Sequence, residues 1–273
     1  MTLPDPSRTS AALVTGASAG IGREIARELA ERGHNLILVA RRKPQLQALA
    51  DELSERYPIR AEVQACDLSR PAARGRLPGQ IDPLGLEVSV LVNNAGFATG
   101  GPFHESDPQR ELQQVRLLVE AVVGLTSIFA PAMAERGDGA ILNVASTAGM
   151  QPMPFSAGYA AAKAYVLAFS EALHYELRPR GVTVTALAPG PVKTDFWGIA
   201  GWQVANGASF EDALPAPAMI SPEQAARSGV DGLAAGRRVV VPGLPMRAAM
   251  EASRVLPHAL KLPAIAWMMG RRG

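Results

Sequence analysis

Short apolar runs rich in β-branched residues alternate with longer helix-patterned stretches along most of the chain. That alternation is the signature of repeated βαβ units, in which each crossover helix covers one face of a parallel sheet. Runs at 12–15, 35–40, 61–65, 88–93, 140–145, 182–188 and 238–241 read as seven strands. Their continuous apolar character suits strands covered on both faces. Helical patterns lie at 21–32, 44–56, 109–135, 157–178 and 222–234, the last opened by Ser221 as N-cap and Pro222 at the first helical position. Between Ser69 and Gly85, the residues Pro71, Gly75, Pro78, Gly79 and Pro83 crowd the third crossover and predict a short or broken helix.

Composition narrows the class further. A chain of 273 residues fits one large α/β domain, or two small ones joined tightly, and buries a full core without metals or disulfides. With 48% hydrophobic residues, 19% charged residues and a mean hydropathy of +0.07, it is neither a disordered tail nor a multispan membrane protein. The chain has one cysteine, Cys66, and 1–10 lacks the basic start and apolar run of a secretory signal. The expected compartment is therefore the cytoplasm. A formal net charge of +2 gives no argument for nucleic acid, but its distribution is uneven. Residues 237–273 carry six Arg and one Lys against Glu251 alone. His34, His104, His174 and His258 are scattered through different units, so no metal is expected.

Chemistry enters at the end of the first strand, which runs into Thr15-Gly16-Ala17-Ser18-Ala19-Gly20-Ile21-Gly22 before a helix begins. Glycines there permit a tight turn and close backbone approach to a pyrophosphate, while the helix start offers free N–H groups and a partial positive charge. A plain strand-to-helix turn uses glycine too, so context must decide. The second strand ends in Arg41-Arg42-Lys43, with no carboxylate before Asp51. An acidic side chain there would bond a ribose diol, whereas cations favour a 2′-phosphate and hence NADP(H) over NAD. The alternative is a solvated basic loop that caps the next helix.

More of the pattern follows in order. Asn93-Asn94-Ala95-Gly96 ends the fourth strand, Ser146 the fifth, Tyr159 and Lys163 open a helix, and Pro189-Gly190 follows the sixth strand with Thr194 beyond. With the TGxxxGxG turn, this series resembles the short-chain dehydrogenase/reductase family over 11–241. The resemblance implies a single Rossmann-like doubly wound α/β domain at 11–242, strand order 3-2-1-4-5-6-7, between a tail at 1–10 and an extension at 243–273. It also implies a homodimer or homotetramer built on the two long helices. For the cofactor it implies contacts from Gly16, Ser18, Ala19, Gly20, Ile21 and Gly22 at the turn, and from Arg41 and Arg42 beside the adenosine ribose. Asp67 and Leu68 would flank the adenine, although Asp67 has the simpler reading of a turn cap. Asn93, Ala95 and Gly96 would wall the adenosine ribose, and Pro189, Gly190, Val192 and Thr194 the nicotinamide.

Tyr159 and Lys163, four residues apart, project from one helix face. A phenol is a poor acid or base at neutral pH, but a nearby ammonium and an oxidised nicotinamide lower its pKa. Ser146, at the carboxyl end of a strand, can donate a hydrogen bond to a substrate oxygen that gains charge. The resemblance assigns proton transfer to Tyr159, carbonyl orientation to Ser146, and nicotinamide-ribose binding to Lys163. One residue departs from it: where many relatives have an Asn that holds a proton-relaying water, alignment on Leu125-Thr126 places Leu118. Either the register slips and Gln113 or Gln114 substitutes, or backbone carbonyls alone hold the water. The departure also leaves open a cofactor-binding regulator or scaffold without turnover.

Phe196, Trp197, Ile199 and Trp202 in the loop 195–219, with Phe97, Met150, Met153 and Phe155, point to an apolar pocket. Its substrate would be a ketone, aldehyde or alcohol on a bulky steroid, fatty-acyl or aromatic body; the plainer reading is that these residues pack the loop onto the core. For the apolar, basic stretch 246–269 three roles are open: packing on the core or a partner subunit, peripheral contact with an anionic membrane, or a cover over the substrate mouth.

Overall fold

The computed structural model of the protein describes residues 3–194, 196 and 219–269. Seven parallel strands form one sheet in the order β3-β2-β1-β4-β5-β6-β7. They are β1 (Ser10–Thr15), β2 (Asn35–Ala40), β3 (Ala61–Ala65), β4 (Glu87–Asn93), β5 (Gly139–Val144), β6 (Val182–Leu187) and β7 (Val239–Val240). Each expected strand is present, β2 and β3 with the expected bounds and the others with ends displaced by at most two residues. Alternation along the pleat feeds two cores. Ala12, Val14, Leu36 and Leu38 point to one, and Ala11, Leu13, Ile37 and Val39 to the other.

The helices are α1 (Gly20–Glu31), α2 (Lys43–Arg56), α3 (Pro71–Ile81), α4 (Pro108–Val115), α5 (Ala121–Arg136), α6 (Ala157–Leu177) and α7 (Pro222–Ala234). The α7 start is fixed by a reciprocal pair in which Gln224 N donates to Ser221 Oγ and Ser221 N to Gln224 Oε1, both at 3.2 Å. Two corrections concern helices. The third crossover is a continuous eleven-residue helix despite Pro78. Burial of Leu77 and Ile81 outweighs the lost hydrogen bond, and Gly75 and Gly79 face open space. The pattern at 109–135 is not one regular helix, because a π-helical turn at Arg116–Glu120 separates α4 from α5. The run 108–136 is apolar and long enough to cross a membrane, yet Ala121, Leu125, Ala130 and Met133 lie in a core beneath the sheet.

After β7 the chain turns at Gly243, φ 84°, into α8 (Leu244–Val255) and then α9 (His258–Met269). Strand order reverses between β1 and β4, and a crevice opens there beyond the carboxyl ends of the strands. That crevice holds the site.

Candidate active site

The glycine turn is shaped by its neighbours. Gly16 has φ 68°, and a Cβ on it would stand 2.7 Å from Asn94 Nδ2 and 2.9 Å from Ala95 Cα. Thr15 Oγ1 accepts from the backbone N–H of Asn94 at 2.9 Å and of Ala95 at 3.0 Å, and donates to Val92 O at 3.0 Å. Asn94 Nδ2 donates to Thr15 O at 2.9 Å. One threonine and one asparagine thus clamp the end of β4 onto the turn and hold the crevice floor. The α1 N-cap, Ala19, bonds no backbone N–H with its side chain, so the first turn of α1 keeps its donors for a ligand. Beside it, Arg42 Nε and Nη2 donate to Ser18 Oγ at 3.3 and 3.1 Å.

At the other end Ser146 opens a short 3-10 turn, Thr147–Met150, and its Oγ accepts from Ala148 N at 3.1 Å. That turn sits directly on α6, because a Cβ on Gly149 would come within 2.5 Å of the Lys163 carbonyl carbon. Gly149 therefore brings Ser146 to the helix that carries Tyr159 and Lys163, a role that its sequence position alone does not disclose. Lys163 Nζ donates to Val144 O at 2.7 Å and lies 5.7 Å from the centre of the Tyr159 ring. Burial pushes the Tyr159 phenol up to about 12, against a smaller lowering by its hydrogen bond to Ser146. Burial also pushes Lys163 down to about 8. Among the chain's own groups desolvation opposes the phenolate and dominates; the expected lowering depends also on the charge of an oxidised nicotinamide. Tyr159 is held as an acid.

A cavity of about 520 Å³ joins the two ends. It is lined by Gly16, Ser18, Ala19, Gly20, Ile21, Arg41, Arg42, Asp67, Leu68, Ala95 and Gly96, and equally by Ser146, Tyr159, Lys163, Pro189, Gly190, Val192 and Thr194. Asp67 lines the cavity and also holds a turn, its Oδ1 accepting from Ser69 N at 3.1 Å and Ser69 Oγ at 2.7 Å.

Two expected cofactor residues stand elsewhere. Asn93 points into the core, where Nδ2 donates to Thr126 Oγ1 at 3.2 Å and Asn143 Oδ1 at 2.8 Å; its neighbour Asn94 lines the crevice. Gly22 lies behind the turn, where a Cβ would meet Asn94 Nδ2 at 2.2 Å and Gly16 O at 2.5 Å. Both shape the crevice from outside. Leu118 sits in the π-helical turn, packed with Tyr159 and against Gly96. Gln114 Nε2 donates to Thr99 Oγ1 at 2.9 Å and Gln113 Nε2 to Ser69 Oγ at 3.5 Å, while Lys163 Nζ donates to a main-chain carbonyl.

Of the apolar candidates, Phe97, Met153 and Phe196 line the cavity, and the Phe196 ring lies 5.7 Å from that of Tyr159. Met150 packs instead with Val166 and Leu167, and Phe155 lines a neighbouring hollow. Trp197, Ile199 and Trp202 fall outside the described residues. Sequence reasoning missed Arg110, whose guanidinium lies 4.0 Å above the Phe97 ring, and the individual methionines Met246, Met250 and Met269. Their helical spacing was the available signal.

A doubly wound sheet with a glycine turn and a serine–tyrosine–lysine set at the two ends of its switch-point crevice defines a dinucleotide-fold protein. The family model for short chain dehydrogenase matches residues 10–201, and the chain belongs to that family. It is 37% identical over 188 residues to a very-long-chain 3-oxoacyl-CoA reductase of Anas platyrhynchos, covering 67% of this chain and 60% of that relative. It is 36% identical over 207 residues to sulfoacetaldehyde reductase 2 of Chromohalobacter salexigens, covering 74% and 81%. Among solved structures, a short-chain dehydrogenase from Sphingobium yanoikuyae in complex with NADPH superposes with a TM-score of 0.79 at 32% identity, covering 90% and 92%.

Proposed function

We propose that the protein is an NADP(H)-dependent oxidoreductase that interconverts a ketone or aldehyde and the corresponding alcohol on a bulky hydrophobic substrate. The observation that carries this reading is the single cavity shared by the glycine turn with Arg42 and by Ser146, Tyr159 and Lys163. The residues present fit the dinucleotide. Gly16 lets the turn pack closely on Asn94 and Ala95 at the crevice floor, the α1 start keeps its N–H donors, and the exposed Arg41 and Arg42 suit a 2′-phosphate. The Sphingobium relative that binds NADPH supports the choice.

When bound, NADPH supplies a hydride. The remaining chemistry belongs to the chain. Tyr159, kept protonated by burial, donates its proton to the carbonyl oxygen as charge develops there. Ser146 donates a hydrogen bond to the same oxygen. Lys163, fixed by Val144 O, favours the phenolate left behind and holds the nicotinamide ribose. Phe97, Met153 and Phe196 keep the reacting end apolar. In this reading the enzyme works in the cytoplasm as a homodimer or homotetramer, with the exposed Ile128 of α5 and Tyr165 of α6 on the shared face.

NADPH consumption measured over a panel of ketones and aldehydes tests the proposal. Preference for bulky apolar ketones supports it. Preference for a small anionic aldehyde, the class in the name of the Chromohalobacter relative, overturns the substrate assignment. NADPH binding without turnover of any panel member would leave a regulator or scaffold.

A further inference from the structure

The last helix, α9, is apolar on nearly every side: between His258 and Met269 it carries one lysine, Lys261, and no carboxylate. A helix of that kind is ordinarily covered all round. Here the chain covers one side. Ile265 is buried, Leu262 is half-buried, and Met269 packs in the cluster that holds Tyr159, Met153 and Phe196. On the opposite side, at helical spacing, stand Leu260, Pro263, Ala264 and Trp267. All four are exposed, Leu260 by 67% and Trp267 by 63%. Leu256, in the link from α8, is exposed as well. Among the described side chains of this outer side none is charged.

The charge around the strip has one sign. Arg247 is exposed on α8, Lys261 borders the strip, and Arg271 and Arg272 follow α9 in the sequence. Over 237–273 six Arg and one Lys stand against Glu251 alone. Lys261 Nζ donates to Ser253 O at 2.9 Å, which ties α9 to α8 with its apolar strip outward.

From this arrangement we infer that the outer side of α9 docks the protein peripherally on an anionic phospholipid bilayer. Leu260 and Trp267 enter the boundary between headgroups and acyl chains, where an indole places its apolar body and its N–H to advantage. The surrounding cations attract acidic headgroups. That charge selects a lipid surface over a second copy of the chain, because a two-fold interface sets the same patch against itself and would bring two cationic segments together. With twelve residues and an inner side held by the core, α9 lies on the bilayer and does not cross it.

The test sediments the full chain with vesicles of phosphatidylcholine alone and with vesicles of phosphatidylcholine and phosphatidylserine at roughly two to one, and needs no substrate. Binding to the mixed vesicles is expected, about tenfold or more weaker on the neutral ones and eroded by added salt. Leu260→Glu and Trp267→Glu should each weaken binding to the mixed vesicles by about tenfold or more, and Arg247→Gln by about fivefold. NADPH affinity and the urea midpoint of Leu260→Glu and Arg247→Gln should match the wild type, which separates a lost surface from a lost fold. Wild-type protein that ignores the mixed vesicles, or binds both kinds equally at any salt, overturns the inference. A Leu260→Glu variant that binds vesicles as the wild type does overturns it too. Dissociation of a dimer by Leu260→Glu, with no vesicle binding by the wild type, would make the strip a subunit interface instead.

Discussion

Arg42→Ala isolates the cation expected to read the 2′-phosphate. In the folded chain the guanidinium is already oriented, since Nε and Nη2 both donate to Ser18 Oγ on the glycine turn. Little side-chain freedom is therefore lost when a phosphate arrives. A hydrogen bond to a charged group contributes about 1.5–3 kcal/mol. Arg42 is exposed, however, and solvent screening weakens such pairs, which places the expected loss at roughly 1.5–2 kcal/mol. At about 1.4 kcal/mol per decade, NADPH binding should weaken roughly ten- to thirty-fold. NADH, which lacks the phosphate, should bind within about twofold of its wild-type affinity, and added salt should erode the NADPH preference of the wild type more than that of the variant. Fluorescence titration of each nucleotide provides the assay. Equal losses for both would mean that Arg42 supports the turn through Ser18 and does not recognise the phosphate.

Burial lowers Lys163 to about 8 while Tyr159 stays protonated up to about 12, so the first proton lost on raising pH is that of the ammonium. Carbonyl reduction should accordingly fall as pH rises through about 8, and a kcat/KM profile that stays flat into the ordinary lysine range would contradict this assignment. Gly22→Ala places a methyl 2.2 Å from Asn94 Nδ2, and overpacking of this kind costs about 1–3 kcal/mol. A lower urea midpoint and weaker NADPH binding should appear together, because Asn94 holds the crevice floor. Asn93→Ala breaks the buried link to Thr126 and Asn143 and should lower stability by about 2 kcal/mol, with NADPH affinity changed by less than about threefold. A large loss of affinity at unchanged stability would return Asn93 to the cofactor site.

The sheet was legible because most strands carry an apolar run closed by a turn or helix signal, as at Ser221 and Pro222, although the edge strand β3 alternates apolar and polar residues and is only partly buried. Strand order came only through the resemblance, since no local pattern states which runs are neighbours. Pro78 misled for a definite reason: propensity reports the lost hydrogen bond but not the burial of Leu77 and Ile81 that offsets it. Motif residues whose backbone meets the crevice were placed well, as at Gly16 and Gly20. Asn93 was not, because alternation along β4 turns successive side chains to opposite sides, and a motif written as letters does not record which one faces the ligand. Gly149 and the methionines of α8 and α9 depend on contacts between distant segments, which a single chain read in order does not show.

The central claim is that Tyr159 provides the proton in a reaction whose substrate lies between it and the glycine turn. Replacing Tyr159 by Phe removes one hydroxyl and keeps the ring against Phe196. With the best ketone of the panel, kcat should fall by about a hundredfold to ten-thousandfold while NADPH affinity changes by less than about threefold. Turnover retained at near the wild-type rate would contradict the account.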